Sequence, residues 1–76
     1  MGVRYWVVDY DIPVRPQARR RAFYRALQGI VRKYDVVADR STQSVWIIDN
    51  EQIAREIHSL ASEYGRSHLY TATRID

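Results

Sequence analysis

The chain has 76 residues and a mass of 9.0 kDa, enough for one small domain and too little for two. Hydrophobic residues make up 46% of it, which excludes a disordered tail, and the lack of cysteine excludes disulfides and thiolate metal sites. Twelve Lys and Arg residues against nine Asp and Glu give a net charge of +3. Because no apolar run approaches the roughly 18 residues of a membrane span and no signal peptide opens the chain, we expect a cytoplasmic protein without a membrane partner.

The first predicted element is a strand from Val3 to Tyr10, whose sequence VRYWVVDY is rich in β-branched and aromatic residues. A strand covered on one side only would alternate apolar and polar residues. Here both alternating sets are apolar, with Val3, Tyr5 and Val7 on one face and Trp6, Val8 and Tyr10 on the other. We therefore expect this strand to be covered on both faces.

A helix is predicted from Gln17 to Tyr34, with Pro16 in its first turn. The apolar residues of this stretch recur at helical spacing and form one wide stripe: Ala18, Ala22, Phe23, Ala26, Leu27, Ile30, Val31 and Tyr34. Gly29 lies away from that stripe, where it costs roughly 1 kcal/mol without breaking the helix. The alternative is a helix that ends at Gly29 and a strand that opens at Ile30.

The second half of the chain predicts a hairpin, a helix and a last strand. The hairpin joins a short strand at 36–38 to a strand at 44–48 through a turn at Asp39–Thr42. Asp49 and Gln52 are spaced as a capping box, and Gly65 suits the position after a helix end. The last strand is predicted over His68–Ile75.

The resulting order, β-α-β-β-α-β, is that of a single ferredoxin-like α+β domain over residues 1–76, with a four-stranded antiparallel sheet and two helices on one face. Since helices cover only one sheet face, an apolar set is expected on the other: Trp6, Val8, Tyr10, Trp46 and Ile48. A core this small stabilises a domain by only about 3–5 kcal/mol, so we expect this face to form a homodimer. Two alternatives stay open: nucleic-acid bases stack on these aromatics, or the faces are assigned the wrong way round.

The basic residues are concentrated in and before the first helix, where residues 12–34 contain no acidic residue. Seven of the twelve fall there: Arg15, Arg19, Arg20, Arg21, Arg25, Arg32 and Lys33. Arg21, Arg25 and Arg32 share the helix side opposite the apolar stripe, and the guanidinium fork matches phosphate oxygens. This predicts contact with a nucleic-acid backbone. The alternative is a solvated helix face that is partly paired with Glu63, Asp35 or Asp39.

Asp9 and Asp11 are the best candidates for chemistry, since residues two apart on a strand share a side. Carboxylates beside basic residues can hold Mg²⁺, which activates water for phosphodiester hydrolysis. Asp11 is the candidate metal ligand and catalytic residue, with Asp9 as a second catalytic candidate. The alternative is that Asp11 only forms the turn before Pro13. Neither His58 nor His68 has metal-ligand spacing, so we expect structural roles for both.

Three stretches resemble a known family: Val7–Ile12, the arginines with Phe23–Leu27, and Gln43–Trp46. They are similar to the opening strand, Arg-rich helix and Gln-x-Ser-Val-aromatic strand of the small CRISPR-associated spacer-acquisition subunit (the "Cas-two" family), to which the VapD toxin family is close in plan. The resemblance implies a ferredoxin-like homodimer packed through its sheets, duplex DNA or RNA binding and an integrase partner. In some members it also implies Mg²⁺-dependent nuclease activity through the Asp that Asp11 would match.

Two functions from different classes therefore remain open. The first is a metal-dependent ribonuclease or deoxyribonuclease that uses Asp11. The second is a non-catalytic nucleic-acid-binding or assembly module, for which the first helix supplies affinity without turnover. Both predict that binding weakens as the salt concentration rises.

Overall fold

The computed structural model describes residues 2–34, 38–42 and 44–75, with the side chains of all of these except 38–42. Its elements are β1 (Val3–Asp11), α1 (Gln17–Tyr34), β2 (Ala38–Thr42), β3 (Val45–Ile48), α2 (Glu51–Tyr64) and β4 (Arg66–Arg74). The predicted α+β class, with an antiparallel sheet and two helices, is confirmed. Within the described ranges, no helix is long and apolar enough to cross a membrane.

The sheet is built around β1, with β3 on one side and β4 on the other, both antiparallel to it. β1 pairs with β4 along its whole length, from Val3 opposite Arg74 to Asp11 opposite Arg66. The backbone of β2 is extended beside β3, in the strand order β2-β3-β1-β4 and with an irregular register. The turn predicted at Asp39–Thr42 thus falls on extended backbone, whereas residues 36 and 37 of the predicted strand lie outside the described residues.

The two sheet faces are the reverse of those predicted from the sequence. The five residues expected on the uncovered face lie under the helices: Val8 and Ile48 are fully buried, Tyr10 and Trp46 are nearly so, and Trp6 packs against the same core. The Phe23 ring of α1 meets the Tyr10 ring edge-on at 5.0 Å between centroids. The Trp46 indole N–H donates to the Tyr10 hydroxyl at 3.0 Å, which lets both polar groups be buried.

The uncovered face carries the other alternating set of side chains. We call it the open sheet face, formed by Val3, Tyr5, Val7, Val45, Ile47 and Tyr70. Tyr70 lies opposite Val7 and is 49% exposed, and Val3 is 54% exposed. An apolar face without helices therefore exists as expected, but different residues form it.

Helix α1 has the predicted bounds, so the alternative end at Gly29 is wrong. It buries Phe23 and Leu27 and packs against α2. The centroid of the Phe23 ring lies 5.8 Å from that of the Tyr64 ring of α2. Gly29 lies on the exposed side, and no atom of the described residues stands within 4 Å of where a Cβ would be. The amphipathic pattern thus sets this helix, because the buried stripe continues past the glycine.

Helix α2 begins one residue later than predicted, because Asn50 rather than Asp49 is its N-cap. The Asn50 side-chain oxygen accepts a hydrogen bond from the Ile53 N–H at 3.1 Å, a role for which Asn and Asp are equally suited. At the other end, the Gly65 N–H donates to the Ala61 carbonyl at 2.9 Å. Its backbone is extended, and the missing side chain is explained by a close approach: a Cβ would collide with the Asp11 carbonyl oxygen.

A short hydrogen-bond chain joins α2 to the central strand. The Ser67 hydroxyl donates to the Asp9 carbonyl at 2.8 Å, so the Nδ1 of His58, also 2.8 Å away, is the donor to Ser67. His58 thus fixes the position of β4 beneath α2. This is the structural role predicted for it.

Candidate nucleic-acid interface

One side of α1 forms an open groove that brings together three of the predicted phosphate-binding residues. Arg21, Arg25 and Arg32 line it, and we call these three the arginine row. Offsets of four and eleven residues return to within about 40° on a helix, so all three point the same way. The groove has a volume of about 820 Å³, and its other lining residues are Val14, Gln17, Arg20, Tyr24, Gln28 and Gly29.

The charges of the arginine row are not neutralised within the described part of the chain. The Arg21 guanidinium donates to the Gln17 side-chain oxygen at 3.3 Å, and Arg32 donates in the same way to Gln28 at 3.4 Å. Both acceptors are uncharged amides four residues earlier, so they orient the guanidinium groups without cancelling their charge. Arg25 is exposed and forms no ion pair with any described residue.

Two of the predicted binding residues serve the fold instead. Arg20 donates to the Ile12 carbonyl at 2.6 Å and lies over the Tyr24 ring, 5.2 Å from its centroid. Arg19 reaches α2, where its guanidinium donates to the Glu63 carbonyl oxygen and lies 4.8 Å from the Tyr64 ring centroid. These contacts fix the loop between β1 and α1 and join the helices, which reduces the freedom of both side chains to reach a ligand.

The remaining two basic residues flank the arginine row without lining the groove. Arg15 is exposed in the loop before α1. Lys33 lies in the last turn, with its Nζ 4.9 Å from the Tyr34 ring centroid. The pairing with Glu63 that the alternative hypothesis required is seen only as the Arg19 contact to its backbone. The side chains of Asp35 and Asp39 lie outside the described residues.

The polar partners of the arginines that line the groove were not predicted from the sequence. Gln17, Tyr24 and Gln28 line the same groove, and each lies four residues from an arginine that it contacts. The spacing of four was visible in the sequence and could have identified them. The Tyr24 ring has Arg20 over one face and packs against the Phe23 ring at 5.0 Å between centroids, so it supports the groove wall and has at most one face left for a stacked base.

The candidate catalytic carboxylates lie on the open side of the sheet, and neither of them lines the groove. One Asp9 side-chain oxygen accepts from the backbone N–H of His68 at 3.0 Å and lies 2.9 Å from the His68 ring Nδ1. Asp11 is exposed at the end of β1, opposite Arg66, and forms no ion pair with a described residue. His68 is therefore the partner of Asp9, and its structural role stays a prediction.

The donor set can be tested against the Mg²⁺ that the resemblance implies. Mg²⁺ often binds through one or two carboxylates together with waters and substrate phosphates. Asp11 fits as a single oxygen ligand, whereas Asp9 is already engaged by His68. Within the described ranges, no three His, Cys, Asp or Glu side chains lie together as a metal-binding group.

The fold and the surface together define a class of protein: a small α+β domain with an uncovered apolar sheet face and a strongly basic helix. The chain matches no family model, no curated protein and no solved structure.

Proposed function

We propose that the chain is a nucleic-acid-binding module that contacts the phosphate backbone through the arginine row of α1. The observation that carries this proposal is the alignment of three exposed arginines in one groove, without an ion-pair partner in the described part of the chain. The surrounding stretch of residues 12–34 has no acidic residue that would repel phosphates.

The dimensions of the arginine row suit a nucleic-acid strand. Arg21 and Arg32 are eleven residues apart, which is about 16 Å along the helix axis. One strand of a B-form duplex has a phosphate about every 3.4 Å along its axis, so the row can span about five phosphates. Because Arg20 already lies over one face of the Tyr24 ring and the row itself consists of arginines, the groove favours binding to the backbone shared by DNA and RNA over reading of bases.

Paired substitutions test this proposal directly. We expect Arg25→Ala with Arg32→Ala to weaken binding to a fluorescent 20-base-pair duplex at least tenfold, measured by fluorescence anisotropy in 50 mM salt. The matched control removes two exposed arginines from the sheet, Arg4→Ala with Arg66→Ala, and should change the affinity less than twofold. Equal losses in both variants, or no binding by the unaltered protein, would contradict the proposal.

We also propose the complete ferredoxin-like topology and a homodimer formed through the open sheet face. The strand order and the apolar character of this face support the proposal, and a small domain gains stability by covering such a face. Ile47→Glu should place a charge in that interface and convert a dimer into a monomer in light scattering at 50 μM. Thr71→Glu, at a position of β4 on the opposite side of the sheet, is the control and should remain dimeric. A monomeric unaltered protein rules the dimer out.

A Mg²⁺-dependent nuclease is a second candidate function. Asp11 supports it, because this carboxylate is exposed and unpaired among the described residues at the end of β1. Cleavage of single- and double-stranded substrates should require Mg²⁺ and should disappear in Asp11→Ala, while the binding affinity is kept. Cleavage that persists in Asp11→Ala excludes this site. The integrase partner implied by the resemblance stays a prediction.

A further inference from the structure

A second groove lies between the two helices, and its charge is opposite to that of the arginine row. Ile30 of α1 and Leu60 of α2 form the apolar part of its lining, and its volume is about 670 Å³. Three carboxylates of α2 border it: Glu51, Glu56 and Glu63. Only Glu51 is neutralised among the described residues, by an ion pair with Arg55 at 2.9 Å.

The other two carboxylates lack a cation partner in the described structure. One side-chain oxygen of Glu56 is buried and accepts no hydrogen bond from any described residue. Glu63 is exposed, and its contact with Arg19 uses the backbone carbonyl rather than the carboxylate. A buried acceptor without a donor destabilises a structure unless a partner supplies one. Glu56 and Glu63 are seven residues apart, which places them on one side of α2 about 10.5 Å from each other along the axis.

The outer side of α1 matches this pattern. Arg25 and Arg32 are also seven residues apart and lie on one side of their helix, so their separation along the axis is the same, about 10.5 Å. Between them lies Gly29, a residue that destabilises a helix interior and that no contact with a described residue requires. The absence of a side chain there lets another helix approach closely.

We propose that α1 of one copy of this chain docks in the α2 groove of a second copy, with Arg25 and Arg32 facing Glu56 and Glu63. The contact joins two different surfaces, so each copy keeps one surface of each kind free and the assembly can grow head to tail. It also covers the arginine row. Nucleic acid therefore competes with self-association. This consequence rests on the proposed function, whereas the docking itself is independent of it.

The salt dependence distinguishes this contact from a sheet-to-sheet dimer. Exposed ion pairs are individually weak and are screened as ionic strength rises, whereas burial of apolar surface is not weakened in this way. At 30 mM salt, the weight-average mass of the protein at 50 μM should therefore exceed the mass of a dimer. At 500 mM salt, it should fall to the mass of a dimer or below.

Exchange of the charges gives the decisive test. One variant carries Arg25→Glu with Arg32→Glu, and the other carries Glu56→Arg with Glu63→Arg. In sedimentation velocity at 30 mM salt, each variant alone should lose the larger species, with at least a tenfold weaker association constant. An equimolar mixture should regain it, because opposite charges again face each other. The control Arg4→Glu with Arg66→Glu changes the same number of charges outside both grooves and should keep the larger species.

Several outcomes overturn the proposal: an unaltered protein without the larger species, a variant that keeps the unaltered mass, or a mixture no larger than its components. If an exchanged variant does not fold, as judged by circular dichroism, the milder Arg32→Gln and Glu63→Gln replace the pair. Each of these should lower the association constant at least threefold, and no change in either contradicts the docking.

The two proposals fail separately. Glu56→Arg with Glu63→Arg keeps the arginine row, so it should bind the duplex at least as tightly as the unaltered protein. Salt-sensitive self-association without duplex binding would contradict the proposed function alone. Duplex binding without restoration in the mixture would contradict the docking alone.

Discussion

Two regions of this molecule use the same residue types for different purposes. One is the layer between the sheet and the helices, and the other is the set of surfaces that the helices leave uncovered. Ile48 is fully buried under the helices, while its neighbour Ile47 lies on the open sheet face. Arg20 is fixed to a backbone carbonyl, whereas Arg25 is exposed in the groove of α1. The comparison teaches that position relative to the helix layer, not residue type, separates residues that stabilise this fold from those available to a partner.

The neighbouring isoleucines should show the largest difference. Ile48→Ala removes a fully buried side chain and should lower the free energy of unfolding by about 2–5 kcal/mol. Ile47→Ala removes a half-buried one and should lower it by about 1 kcal/mol. Urea denaturation at one fixed protein concentration measures both. Equal losses would show that the open face is as well packed as the covered one.

Two of the three glycines, Gly65 and Gly29, extend the comparison to the backbone. Gly65→Ala should destabilise the protein by about 2 kcal/mol, since its Cβ would collide with the Asp11 carbonyl and lie 3.1 Å from the Ile12 Cα. Gly29→Ala should stabilise it by about 1 kcal/mol, because a Cβ there meets no described residue and alanine favours the helix. Thermal unfolding of both variants checks these opposite signs, and a stabilising Gly65→Ala would contradict the close approach.

The arginines should show the smallest difference in stability. Arg20→Ala leaves the Ile12 carbonyl without its donor and should cost about 1.5 kcal/mol. Arg25→Ala should change the free energy of unfolding by less than about 0.5 kcal/mol, as is usual for exposed positions. Chemical denaturation again provides the measurement. A comparable loss in Arg25→Ala would show that the arginine row stabilises the fold and is not free for a ligand.

Much of the fold could be predicted because its signals are local. The helical period of the apolar residues identified α1 to its last residue, since Ile30 and Val31 continue past Gly29 the stripe that Phe23 and Leu27 begin. The N-cap of α2 was misplaced by one residue, because Asp49 and Asn50 are both good caps. The choice between them depends on which side chain reaches the Ile53 N–H.

The sheet faces could not be predicted, because alternation identifies two faces but not which one the helices cover. In β1 and β3 both faces are apolar, so Trp46 and Ile47 were equally suited to the interior. A hydrogen bond between Trp46 and Tyr10, far apart in sequence, belongs to the covered side and is visible only in three dimensions.

The candidate site was predicted in part. Helical spacing placed Arg21, Arg25 and Arg32 on one side correctly. The internal contacts of Arg19 and Arg20 depend on the Glu63 and Ile12 carbonyls, whose positions the sequence does not reveal.

The salt dependence of nucleic-acid binding tests the central claim most directly. In a plot of the logarithm of the association constant against that of the salt concentration, each phosphate contact contributes a slope of about −0.9 on a duplex. Arg25→Ala with Arg32→Ala should therefore make the slope of the unaltered protein shallower by about 1.8, whereas Arg4→Ala with Arg66→Ala should leave it unchanged. An unchanged slope in the first variant would contradict the assignment of the arginine row as the nucleic-acid interface.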